Sequence, residues 1–467
     1  MIMIKIAIVA YIIFVLCNLN TPRDREYLHN RYVDGGAKSK YAYIEIKTGK
    51  LESIDPIFLA DALLLIEAFE EIHVNFVIED RLADDYSYVR ESFIRQSRRI
   101  SNRNDFIFAV QRYLATIRDG HISYRRISPV GLFMPSHIEW RAYNNRLFLV
   151  EDDEIAAEIV ALGGVDIADI LSTIDRYYFS PNEFARTRNL ALHARDQGIL
   201  LRAGAEIEAN RIVITLYNGE GYSYREVIFN TSTFNTLLDS PPQGHGLSWE
   251  LMDDILYIRI NSFVHTMELD EVGLAIESAI QSGIVNFIID LRANPGGPPH
   301  MVAGFFDLFG MHTTDNRPMW IHSQWRMVSR VFQSHNPDIP FEPSYGFREG
   351  EIINNGIPTI YNPNNAFFAV LTDAFTASAA LVFAALVQDE ALGIVVGEPS
   401  MHSPQPFGTS YTLTLPASGL SISFSHAQTP RPNPQAGEFV LLPDIWVYAD
   451  FALETALEFF ADSIASD

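Results

Sequence analysis

Two stretches, NFIIDLRANPGG (Asn286–Gly297) and FAVLTDAFTASAALVFAAL (Phe368–Leu386), decide the fold. Each starts with a short apolar run, passes through a turn and continues into a longer segment. An uninterrupted apolar run of about four to eight residues reads as a strand covered on both faces, which is the signature of a parallel sheet between helices. The pattern repeats around the two stretches. ILYIRI (Ile255–Ile260) is strand-like, Asp270–Gln281 is helical, and NFIID, a helix, FFAVL and another helix follow. Strands and helices alternating from Leu247 onward predict a βαβ core.

The turns carry the chemistry. Gly296 and Gly297 are adjacent, and glycine allows positive φ and close approach of backbone to a bound molecule. Ser378 stands at the mouth of the apolar helix that follows the second strand. A hydroxyl there has unpaired backbone N–H groups and the positive end of the helix dipole beside it. Such a serine can act as a nucleophile, with those N–H groups stabilising the oxyanion that forms on attack at a carbonyl. Gly296, Gly297 and the N–H of Ala379 are the candidate donors. The bland reading is that Ser378 caps or packs its helix and the glycines only tighten a turn.

Working outward, residues 18–50 are polar and read as a linker or arm. Residues 51–125 carry helical periodicity, with Ile57, Leu63, Ile66 and Phe69 on one apolar side and Phe106, Val110, Tyr113 and Ile117 on another. Residues 126–240 alternate short strand-like runs (RLFLV, EIVALGG, RIVITLYN, YREVIF) with loops, and VDIADILSTI among them reads as a short helix. SPPQGHG (Ser240–Gly246) marks a boundary before the core at 247–450, and 451–467 reads as a C-terminal helix. The polar, aromatic stretch from about 312 to 362 is expected to be a long excursion near the site.

At 467 residues the chain can hold about two or three domains with full cores. A formal charge of −24 argues against nucleic acid and against anionic membranes, both of which call for a basic surface. Residues 1–17 hold one cation, Lys5, and an apolar run from Ile6 to Cys17. That run is short for a membrane span and fits a signal peptide, with an uncleaved anchor or buried strand as the alternative. Cys17 is the sole cysteine, so no disulfide framework is expected. No paired-cysteine or His-Glu-x-x-His spacing points to a metal, and the Gly-Gly pairs lack phosphate-loop spacing, so no metal and no nucleotide cofactor is expected.

The two stretches together resemble the core of the carboxy-terminal processing (tail-specific) serine proteases, which include the core of the tricorn protease. The motif residues are Asp290, Arg292, Asn294, Gly296 and Gly297, then Thr376, Ser378 and Ala379. FGTSYTLTLPASGLSISFS (Phe407–Ser425) and PDIWV (Pro443–Val447) are similar to the strands that close that core, and DGHISY (Asp119–Tyr124) to an upstream Asp-Gly-His segment. The resemblance implies an α/β fold of several domains: a helical N-terminal region, a PDZ-like β-rich module at 126–240 and a crotonase-like protease core. GGVDIADILSTI is similar to the family's turn and helix in that module, although no Gly-Leu-Gly-Phe loop is present.

Many members of the family use a serine–lysine dyad. Here every lysine lies at or before Lys50 (Lys5, Lys38, Lys40, Lys47 and Lys50), so a dyad with a lysine downstream of Ser378 is excluded. The resemblance then implies a histidine base, His121 of the Asp-Gly-His segment, with Glu438 as the acid that orients it and Asp444 and Glu398 as rivals. A surface histidine at a helix end is the bland reading of His121. The expected activity is exported, extracytoplasmic peptide-bond hydrolysis on polypeptide substrates, with tethering through the N-terminus as one option. The alternatives are a catalytically inactive, peptide- or ligand-binding member and, from the crotonase-like core, an acyl-thioester enzyme.

Overall fold

The computed structural model describes residues 43–44, 57–76, 82–125, 131–232 except 153, 246–264, 269–313, 325–327, 352–353, 360–428, 431, 433, 436–437 and 439–465. The signal-peptide reading, the 18–50 linker and all five lysines lie outside the described residues, as does most of the 312–362 excursion.

The core is a six-stranded sheet made of β1 (Leu247–Met252), β2 (Ile255–Ile260), β3 (Asn286–Asp290), β4 (Phe367–Thr372), β5 (Gly393–Gly397) and β8 (Ile445–Trp446), in the order 1-2-3-4-5-8. Only β1 runs antiparallel to its neighbour; the remaining pairs are parallel. Parallel strands need crossover helices, and here these cover one face while the C-terminal helix covers the other. Phe287 and Ile289 of β3 and Phe368 and Val370 of β4 pack with Val272, Ile276, Val302, Phe305, Phe306 and Phe383 of the crossover helices. Ile288, Ala369 and Leu371 point to the other face and meet Ala452, Ala456 and Phe460 of the C-terminal helix. The period of two along each strand thus splits one apolar run between two cores.

Three N-terminal helices, α1 (Ile57–Ile72), α2 (Tyr86–Ser97) and α3 (Arg103–Ala115), bear out the helical periodicity. Asn102 caps α3, its side chain accepting from the Asp105 N–H at 2.9 Å. These helices do not close a core by themselves. Phe58, Phe69, Phe106, Val110 and Tyr113 pack against Leu413, Leu415, Leu420, Ile422 and Phe424. Those five residues come from a hairpin, β6 (Phe407–Thr414) and β7 (Ser421–Gln428), and the turn between them. Asp61 of α1 fastens that turn, accepting from the Ala417 N–H, the Ser418 N–H and the Ser418 hydroxyl. Ser123–Arg125, directly after the Asp-Gly-His segment, pairs antiparallel with β7.

Residues 140–228 form a second body, a six-stranded antiparallel sheet of strands 140–143, 146–151, 154–162, 211–217 and 222–228, in that order, with the short strand Val165–Asp166 paired to the end of 154–162. Helices 167–174, 183–193 and 197–203 lie over one face, where Leu147, Ile159, Ile170, Ile174, Leu190, Ile199 and Ile214 are fully buried or nearly so. The strand Arg211–Tyr217 alternates exposed and buried residues, as a sheet with one wet face must. The helix read from VDIADILSTI is the first of the three.

The crossover helices of the core are α4 (Leu269–Gln281), α5 (Pro299–Asp307) and α6 (Ala379–Asp389), and α7 (Ala452–Ala465) closes the opposite face.

Candidate active site

The glycine loop after β3 is held by Asn294, whose side chain is fully buried. Its Nδ2 donates to Ile260 O at the end of β2 (2.8 Å), its Oδ1 accepts from Gly296 N (2.8 Å), and its carbonyl accepts from Ala377 N (2.9 Å). One residue therefore joins two strand ends and the turn that carries Ser378. Gly296 has φ 94° and lies against Ala377 and Ser378, while Gly297 has φ 151°. A Cβ on Gly297 would stand 1.6 Å from Phe263 O, so no larger residue fits there without moving the backbone.

The turn after β4 is equally fixed. Asp373 Oδ1 accepts from the N–H groups of Phe375 and Thr376, and its Oδ2 accepts from Ala293 N at 2.9 Å. Thr376 Oγ1 donates to Leu291 O (3.0 Å). The two turns are thus stitched side by side across the sheet. Ser378 follows as the residue before α6, with φ 51° and ψ −122°, a backbone conformation that strains any residue other than glycine. Its hydroxyl makes no capping bond to the helix. The capping reading of Ser378 therefore has no support, and the strained strand-to-helix turn is how hydrolases present a nucleophile at the end of a sheet. Ala379 opens α6, so its N–H lies outside the helix ladder. Gly296 N–H is engaged by Asn294, which leaves close approach as the service of that glycine.

His121 follows a turn in which Arg118 has φ 60°. Its backbone N–H donates to Asp119 Oδ1 at 2.7 Å. The imidazole is half-buried, and its ring centre lies 6.2 Å from that of His402. Burial pushes His121 below the usual histidine range, and the Asp119 charge works against that. His402 is pushed down to about 4, by burial first and then by the charges of His121 and Arg188.

The loop that carries His402 is tied to the serine turn. Met401 N donates to Ala374 O (3.2 Å), Ser400 Oγ to Thr376 O (2.6 Å) and His402 N to Ser400 Oγ (2.9 Å). Helix 183–193 of the second body closes over it. Arg188 stacks its guanidinium 3.7 Å over the Phe375 ring, and Asn182 Nδ2 donates to Ser400 O (3.3 Å) and Phe439 O (2.9 Å). Between these pieces lies a cavity of about 400 Å³. His121, His402, Phe179, Leu192, Met401 and Phe439 are among its lining residues, giving it a largely apolar wall beside the imidazole.

Of the residues singled out in the sequence, Gly296, Gly297, Ser378 and Ala379 meet at the C-terminal ends of β3 and β4, and His121 reaches the loop fastened to the same turn. Glu438 lies outside the described residues. The rival Asp444 is occupied elsewhere, its Oδ2 accepting from Val395 N and Gln388 Nε2. Glu398 begins the loop that leads to His402; burial raises its carboxyl above the usual range, with nearby Asp373 and Asp450 adding to the rise. Among the described residues no cluster of three metal-ligating side chains occurs, and no helix is long and apolar enough to cross a membrane. Sequence reasoning passed over His402, His73 and the structural work of Asp373 and Thr376. The D-A-F-T spacing of the last pair is a side-chain-to-backbone turn signal that could have been read.

Residues 254–447 match Peptidase family S41. No curated protein matches the chain. Among solved structures, mature CPAF complexed with lactacystin aligns over 87% of this chain and 97% of that chain at 12% identity, with a TM-score of 0.55. The photosystem II D1 C-terminal processing protease aligns over 84% and 94% at 12% identity and a TM-score of 0.37. The tricorn protease aligns over 86% of this chain and 35% of its own, at 12% identity and a TM-score of 0.33. Identities this low speak for fold alone, and CPAF carries that likeness. The matched segment contains both the glycine loop and the helix-mouth serine, so the core at 254–447 is similar to that of peptidase family S41 and is the core of a serine-type peptidase.

Proposed function

We propose that the chain is an exported endopeptidase in which Ser378 is the nucleophile and His121 the general base. The observation that carries this reading is the strained backbone of Ser378 at the mouth of α6, packed on the glycine loop with its hydroxyl unused as a cap. Ser378 Oγ bonds to the peptide carbonyl carbon as its proton passes to His121. The oxyanion is held by the N–H groups of Ala379 and Gly297, with Gly296 giving the room for approach. His121 then returns the proton to the leaving amine as the C–N bond breaks, and water releases the acyl group by the same route.

Glu438 is the proposed partner of His121. Its neighbour Phe439 lines the cavity that His121 lines, which supports this choice. The apolar run Ile6–Cys17 supports export. The antiparallel sheet with its three helices supports a PDZ-like role for the second body, since helix 183–193 docks on the loops of the site.

The test is hydrolysis of casein and of fluorogenic peptides by the wild type, Ser378→Ala and His121→Ala, with phosphonate labelling of the serine. Loss of turnover in both folded variants, with labelling only where Ser378 is present, is expected. Wild-type rates in either variant remove that residue from the mechanism, and a wild type that neither turns over nor labels leaves a binding protein.

A further inference from the structure

Behind His121 lies a second histidine to which no role has been assigned. His73, at the end of α1, is fully buried, and its Nε2 lies 3.0 Å from Asp119 Oδ2, a carboxylate that is also fully buried. Aromatic rings surround the imidazole, with Phe69 and Phe407 at 5.7 Å, Phe424 at 6.4 Å and Phe76 at 6.5 Å between centres. Asn75 N–H donates to His73 Nδ1 at 3.1 Å. Nδ1 is thereby the acceptor, so the ring proton sits on Nε2 and points at Asp119. The other oxygen of Asp119 accepts the backbone N–H of His121 at 2.7 Å. A hydrogen-bonded chain thus runs from Asn75 through His73 and Asp119 to the backbone of the proposed base.

A polar chain buried among phenylalanines costs free energy at every unmade bond. A hydrophobic pair at positions 73 and 119 would pack there without that cost. What the polar pair supplies is a fixed carboxylate within one turn of His121. We infer that His73 is a positioning residue: it locks the Asp119 side chain, which holds the His121 backbone in place and keeps a negative charge beside its imidazole. The inference rests on the reading of His121 as the base. The other charged or titratable groups at that imidazole are His402, Arg118 and Arg188, all of which line the same cavity. Two of the three are permanent cations, so Asp119 is the described group that favours a basic imidazole against them.

Three variants of the full-length protein test this: His73→Phe, His73→Gln and Asp119→Asn. His73→Phe leaves Asp119 without its donor, so nothing on that side holds the carboxylate in place. Glutamine places an N–H near the position of Nε2 and should preserve the chain. Asparagine at 119 keeps the acceptor for the His121 N–H and removes the charge. The expected result is a roughly 10- to 100-fold loss of kcat in His73→Phe and Asp119→Asn, the scale seen when an outer partner of a functional histidine is removed. KM should stay near the wild-type value. The acid limb of kcat/KM should move to lower pH in both variants, and His73→Gln should restore both readouts. A merely structural role would lower Tm and leave the limb in place. An unmoved limb with wild-type kcat in folded His73→Phe and Asp119→Asn overturns the inference; if His73→Phe fails to fold, Asp119→Asn decides alone. His121→Ala run in parallel separates the two readings. Activity in that variant defeats the base assignment, whereas an inactive His121→Ala beside unaffected position-73 and position-119 variants defeats only the positioning role.

Discussion

A Cβ placed on Gly296 would stand 2.6 Å from the Cβ of Ser378 and equally close to Ala377 O. The glycine loop and the serine turn are therefore in backbone contact, with φ 94° at Gly296 adding a second reason for glycine. Gly296→Ala should push the serine turn outward. Overpacking of this kind costs about 1–3 kcal/mol, and a displacement of about 1 Å at a reacting group costs on the order of 100-fold in rate. Peptide turnover and thermal melting of the variant check both parts; wild-type kcat would show that the contact has no bearing on catalysis.

The strain at Ser378 predicts a divergence between stability and activity. A non-glycine residue in a sparsely populated backbone region costs on the order of 1–3 kcal/mol. Ser378→Ala and Ser378→Gly should both lose hydrolysis, but the glycine variant should melt above the alanine variant, by the equivalent of roughly 1 kcal/mol. Equal melting temperatures would mean that the turn is relaxed.

The pH profile follows from the burial of His121. On the proposed mechanism only its neutral form accepts the serine proton, so activity should be lost as pH falls through its pKa. Burial sets that pKa below the ordinary 6.5, with Asp119 opposing. The acid limb of kcat/KM should therefore lie below 6.5. A steady-state series from about pH 4 to 8 locates it. A limb above 6.5 would show that a carboxylate beyond Asp119 dominates the imidazole.

A fourth prediction concerns stability away from the site. Arg431 and Asp389 are almost completely buried, and Arg431 Nη2 and Nε lie 2.7 and 2.9 Å from the two Asp389 oxygens. Arg431 also donates to Gln388 Oε1 and Ala436 O, so it pins the segment before Leu441 to the end of α6. Removing one partner strands a buried charge, at about 3–5 kcal/mol. Urea titration of Arg431→Met should show a loss of that size, and Arg431→Lys should fail to recover it, because an ammonium cannot make the forked contact.

The core was readable because β3 and β4 are buried on both faces, so their apolar runs have no polar interruption, and because the turns after them need glycine or a small residue. Ser378 and the glycine loop follow from that local grammar. His121 was reachable only through its resemblance to a motif; no local signal tells a catalytic histidine from one on a surface. His73 and His402 were invisible for the same reason, since their neighbours are remote in the chain. The helices of residues 57–115 were legible as helices, but their need of β6 and β7 to complete a core was not. Long-range packing of that kind leaves no period in the sequence.

The pairing of Ser123–Arg125 with β7 gives the molecule a schedule. The strand that follows His121 finds its partner at Ser421–Ser423, and α1 and α3 find theirs at Leu413–Phe424, all downstream of Ser378. During synthesis the helices and His121, the proposed base, emerge first, Ser378, the proposed nucleophile, later, and the hairpin that pairs with Ser123–Arg125 later still. Until that hairpin is made, the strand that follows His121 lacks its partner. On the proposed mechanism, a nascent chain that already holds Ser378 still lacks the strand that fastens the segment of His121, so topology defers assembly of the proposed site.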